Sequence, residues 1–114
     1  MTKELSEIAL AFCREILGWP DARQYTGSDA VFHGHGGGRC QRFDLNFVMN
    51  AVRTWVNTMP GWFLQINSIE GTDKGWAVLV CAPDDDGVGD SNDLCEAMMV
   101  ACLQAKSKVE SIPE

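Results

Sequence analysis

The sequence predicts a mixed α/β (α+β) fold: a three-layer α-β-α sandwich with a small, mainly antiparallel sheet of about three strands between helices, in the order α-β-α-β-β-α. Three observations carry this. Apolar residues recur at three- and four-residue steps in three separate segments, as on helices with one apolar stripe. Two segments between the last two of these alternate at a period of two, as strands do. The second alternating segment is apolar on both faces, as a central strand covered on both sides would be. At 114 residues, 46% hydrophobic and 22% charged, the chain suits one domain, 1–114, with a single core.

The opening helix is expected over residues 2–17. Leu5, Ile8, Phe12 and Ile16 form its apolar stripe, with Ala9 and Cys13 beside them and Lys3, Glu4, Glu7, Arg14 and Glu15 on the other side. Gly18 and Pro20 end it. Residues 21–43 read as a variable His/Gly-rich loop with one short strand candidate, Ala30-Val31-Phe32-His33. The second helix, 44–59, opens on Asp44 as N-cap and carries Leu45, Val48, Met49, Val52, Trp55, Val56 and Met59 on one face. A stripe that wide belongs against a sheet. Pro60-Gly61 closes it.

A hairpin follows over 62–82, in which Trp62, Leu64 and Ile66 alternate with their neighbours, as do Trp76, Val78 and Val80. An acidic loop over 83–90 leads to the last helix, 91–106, with Leu94, Met98, Ala101 and Ala105 as its stripe and Lys106 and Lys108 at its C-terminal end. The tail from Val109 to Glu114 is expected to fray.

Charge is unevenly spread. The net charge is −7. Residues 1–60 hold six acids and six bases, whereas residues 61–114 hold ten acids and three bases and so carry the whole excess. Such a balance argues against direct nucleic-acid binding, which needs a positive surface, and against docking on anionic membranes. The N-terminus has no apolar h-region of a signal peptide. The five cysteines are odd in number and show no C-x-x-C spacing, and four lie in apolar runs. Reduced, buried thiols and a cytoplasmic location follow, the host cytoplasm for a phage-encoded chain.

Four segments resemble the phage ABA sandwich domain family. They are Leu17-Gly18-Trp19 closing the first helix, Phe43-Asp44-Leu45-Asn46 running on to Trp55, a strand pair whose second strand opens on Trp76, and Gly89-Asp90-Ser91 leading into Leu94-Cys95-Glu96-Ala97 and Ala101. Together they span roughly residues 8–105. The resemblance implies a helix–sheet–helix fold and a phage or prophage origin. It transfers no functional residues. The Asp-rich and His/Gly-rich loops depart from the family's pattern.

Three clusters carry candidate chemistry. The H-x-H pair His33 and His35 on an extended segment would place both imidazoles on one face, about 6–7 Å apart, with Cys40 as a third metal ligand. No second paired set exists to complete a structural zinc motif, so an exposed glycine loop explains the histidines as well. Gly36, Gly37 and Gly38, with Arg39 and Arg42, would suit a small anion such as a nucleotide signal. They lack Walker A and Gly-x-Gly-x-x-Gly spacing.

The acidic run Asp84, Asp85, Asp86, Asp90, Asp93 and Glu96 has no base among its members. An EF-hand would need alternating acids, and Asp84-Asp85-Asp86-Gly87 lacks them. Helix capping accounts for Asp90, Asp93 and in part Glu96. The remainder reads either as a solvated loop or as a surface for a partner, such as a host protein with a basic nucleic-acid-binding groove.

No nucleophile elbow or Ser/His/Asp set is present, so no catalytic residue and no cofactor is assigned. The expected function is non-enzymatic binding, as an anti-CRISPR-like or other inhibitor of host defence. A nucleotide-sequestering binder is the alternative, and a metal-dependent hydrolase the third reading. Four tryptophans, Trp19, Trp55, Trp62 and Trp76, suit a core and also a homodimer interface.

Overall fold

The amphipathic segments become three helices. A computed structural model describes residues 3–19, 21–24, 31–34, 39–68, 75–83 and 85–111. Helix α1 spans Lys3–Glu15 and buries Ala9, Phe12 and Cys13. Gly18 follows it at φ 74°, the left-handed stop expected of a glycine there. Helix α2 spans Leu45–Asn57 and buries Val48, Val52 and Val56. Asp44 caps it: the carboxylate accepts the Phe47 N–H at 2.9 Å. Asp44→Ala is expected to cost about 1 kcal/mol, read as a lower urea midpoint at unchanged m-value. Helix α3 spans Leu94–Ser111, longer at its C-terminal end than expected, with its final residues among those assigned to a frayed tail.

The strands exceed expectation. Strands β1 (Arg23–Gln24), β2 (Val31–Gly34) and β3 (Arg39–Arg42) form an antiparallel sheet in that order. It occupies much of the region expected to be loop. Arg-Cys-Gln-Arg in β3 shows no apolar alternation, so its strand character comes from pairing with β2 and not from pattern. Phe32 of β2 is fully buried and ties this sheet to the core.

Strands β4 (Phe63–Ser68), β5 (Trp76–Cys81) and β6 (Gly87–Ser91) form the second antiparallel sheet, with β5 in the centre. The hairpin β4–β5 is as expected. Strand β6 corrects the sequence reading, which assigned residues 83–90 to a loop. The class itself is the expected one: three helices and small antiparallel sheets in a mixed α+β fold, consistent with an α/β sandwich.

One face of the β4-β5-β6 sheet lies under α3, and α1 and α2 also pack on that helix. Helix α3 buries Ala97, Met98, Met99, Ala101, Cys102 and Ala105. These cover more than half of its circumference, as a helix lying between layers requires. Its contact with β6 is closest. A Cβ on Gly87 would lie 2.2 Å from the Ala101 carbonyl oxygen, and one on Gly89 would lie 2.1 Å from that of Ala97. The two glycines and the helical alanines therefore bring strand and helix backbones together. No helix among the described residues is long and apolar enough to cross a membrane.

Candidate binding surface

Most of the described acidic run is engaged in local structure. Lys108 Nζ donates to the Asp86 carbonyl oxygen at 2.5 Å and sits 3.3 Å from Asp85 Oδ1. The Asp86 carboxylate accepts the Ala82 N–H at 3.3 Å, closing the turn between β5 and β6. Asp93 caps α3 by accepting the Cys95 N–H at 2.9 Å and the Glu96 N–H at 3.4 Å. Ser91 Oγ in turn accepts the Asp93 N–H. The capping expected of Asp93 is present. Asp90 differs: it lies in β6, exposed, because the helix starts at Leu94, three residues later than that reading places it. Asp84 lies outside the described residues.

The second face of the β4-β5-β6 sheet carries Phe63, Gln65 and Asn67 from β4, Ala77, Leu79 and Cys81 from β5, and Val88 and Asp90 from β6. Antiparallel sheets with one solvated face ordinarily alternate apolar-in with polar-out. Here five of the eight outward residues are apolar. Phe63 is 60% and Val88 42% exposed, whereas Val78 and Val80 on the α3 side are fully buried. The expectation that β5 is covered on both faces holds only on the α3 side. On the other side Ala77 and Leu79 are half-buried and only Cys81 is buried.

The register sets Phe63 beside Cys81, and Leu79 between Gln65 and Val88. An apolar diagonal thus runs Phe63, Cys81, Leu79, Val88. Asp90 follows Val88 by two residues along β6, on the same side of the pleat, and Asp86 lies just before the strand, its carboxylate bonded to the Ala82 N–H. Burial, aided by the nearby Asp86 carboxylate, pushes the Cys81 thiol up.

The other candidate sites lie mainly elsewhere. The β2–β3 register makes His33 and Cys40 cross-strand backbone partners. His35, Gly36, Gly37 and Gly38 lie outside the described residues. Positions 39 and 42 stand at the two ends of β3. An open cleft of about 430 Å³ lies between the end of α1 and α2, lined by Ile16, Leu17, Phe47, Ala51, Trp55 and Thr58. It holds no charged side chain. Burial pushes the Cys13 and Cys102 thiols up to about 12 and, with Asp93 nearby, that of Cys95 to about 11. These three are protonated at neutral pH and poor nucleophiles.

Sequence reasoning missed the open sheet face and β6. Gly87-Val88-Gly89 reads as a loop by composition. The usable signal was the matching spacing of Ala97, Ala101 and Ala105, a stripe of small residues on the next helix. No protein-family model, curated protein or solved structure matches the chain.

Proposed function

We propose that this chain is a non-enzymatic binding protein whose acidic C-terminal half engages a protein partner, in its sharpest form a phage or prophage accessory protein that inhibits a host defence system. The observation that supports it is the confinement of the whole net charge of −7 to residues 61–114, which build the β4-β5-β6 sheet and α3. Clustered carboxylates steer encounter with a basic surface and suppress competing acidic partners. The phage origin rests on the resemblance of the four sequence segments to the phage ABA sandwich domain family, and the counter-defence role on that origin together with the asymmetric charge.

The acids that serve the turn and the helix cap are poor choices for a test, since reversing them also disturbs the fold. Asp84→Lys combined with Asp90→Lys leaves the Asp86 and Asp93 hydrogen bonds in place and is the variant to test. Against a partner identified by affinity capture and mass spectrometry, its dissociation constant is expected to rise about tenfold or more and its salt dependence to flatten. Unchanged affinity and salt slope would reject the acidic-surface reading.

A further inference from the structure

We infer that the open face of the β4-β5-β6 sheet, through Phe63, Leu79 and Val88 with Asp86 and Asp90 beside them, docks a cationic amphipathic segment of a partner protein. This deepens the binding-protein proposal above and rests on it. Exposed apolar residues gathered on one sheet face, unlike ones scattered singly, are a common mark of an interaction site. Phe63 at 60% exposure is the largest such residue among those described.

The occupant follows from charge and area. The eight outward residues include one charged side chain, Asp90, and the Asp86 carboxylate adjoins Cys81 at the end of the face. Asp86 stands one residue before β6 and Asp90 within it, a span of about 13 Å for extended chain. A matching segment carries apolar side chains flanked by lysine or arginine at a similar span, about two helical turns.

A second copy of the chain fits poorly. Three strands of five or six residues project over only about 240 Å², a small platform for a stable dimer, whose interface buries about 800 Å² of accessible surface per partner. Pairing two copies would also bring together two halves that each carry the full net charge of −7. Anionic lipid and nucleic acid are repelled by the same charge. A single helix or strand, by contrast, has a footprint of this size, and burying its apolar side chains against Phe63, Leu79 and Val88 needs no larger surface.

The test uses the full chain, isotope-labelled, with two synthetic helical peptides of about 14 residues. Both carry the same leucine stripe, flanked by lysine in one and by glutamate in the other. The lysine peptide is expected to shift the backbone amides of residues 63–67, 77–81 and 86–91, with affinity that falls as salt rises. The glutamate peptide is expected to leave them unmoved. Phe63→Ser and Val88→Ser, at exposed positions that the fold tolerates, are each expected to weaken the lysine peptide about tenfold.

Equal binding of the two peptides would overturn the proposal, as would full affinity in both serine variants. Concentration-dependent shifts of the same amides without peptide would overturn it in favour of a second copy. Shifts confined to the start of α3, around Asp93 and Glu96, would overturn this face while leaving the acidic-binder reading standing. Binding of neither peptide would overturn this docking face and leave the acidic-binder reading to the charge-reversal test.

Discussion

Gly89→Ala is expected to destabilise the chain by about 3 kcal/mol or more, the upper end of what overpacking costs. The sign is not obvious in advance. Alanine at a position whose backbone it can adopt ordinarily stabilises by about 0.4–1 kcal/mol, because it narrows the unfolded ensemble. Gly89 is not among the glycines at positive φ, so backbone conformation does not oppose the change. Packing does. The added Cβ would lie 2.1 Å from the Ala97 carbonyl oxygen and 2.8 Å from the Ala101 nitrogen.

Both neighbours are helix backbone, so no side chain can swing aside. Either α3 lifts off β6 or the strand breaks its pairing with β5, where Gly89 faces Val78. Val88→Ala, one residue away and 42% exposed, is the control and should change stability by less than about 0.5 kcal/mol. Thermal unfolding by circular dichroism checks both, with a fall of about 10 °C or more expected for the glycine variant. A Gly89→Ala protein that melts with the wild type would show that the strand and helix are not held together at this seam.

That seam also marks the limit of what was legible in the sequence. Periodicity placed all three helices, because Phe12, Val48, Val52, Val56 and Met98 are buried for the same reason that they recur at helical steps. Alternation placed β4 and β5. It failed at β6, where two of five residues are glycine and a third is Asp90. Composition reads such a segment as a loop, whereas the strand exists because its glycines let α3 approach. It failed again at β3, whose four residues pair with β2 without an apolar face of their own. Both misses are strands defined by their neighbours, and a linear pattern carries no neighbours.

The candidate surface was legible in part and for a reason that changed. Asp84, Asp85 and Asp86 stood out as three adjacent carboxylates without a capping explanation. Asp85 and Asp86 now have local partners in Lys108 and the Ala82 N–H. What distinguishes the region is instead the apolar side of β5, legible as a two-faced apolar strand but read as double burial. Cys81 is buried, yet Leu79 is only half-buried and its neighbour Val88 is exposed. A strand apolar on both faces is equally the mark of one covered by the protein's own helix on one side and by another molecule on the other.

Phe43→Ala is expected to cost about 3–5 kcal/mol, the range for removing a buried phenylalanine. Phe43 precedes α2 and is 7% exposed. Its ring lies 4.7 Å from that of Phe32 on β2, 4.9 Å from Phe47 on α2, 6.3 Å from Phe12 on α1 and 6.5 Å from Trp19. One side chain therefore joins the first helix, the first sheet and the second helix. Deleting it opens a cavity at their junction, and Phe12 loses the edge-to-face arrangement it makes at 90°.

The informative comparison is Phe63→Ala, the same chemical deletion at a residue 60% exposed on the open sheet face. It should cost under about 1 kcal/mol, since little of its ring leaves water on folding. Urea unfolding followed by tryptophan fluorescence separates the two, with Trp19 reporting directly on the Phe43 cluster. A pair of similar ΔΔG values would contradict the division between a ring that serves folding and a ring left for binding. Unequal values in the expected order, with the Phe63 variant alone losing the lysine peptide, would place the two phenylalanines on different sides of that division.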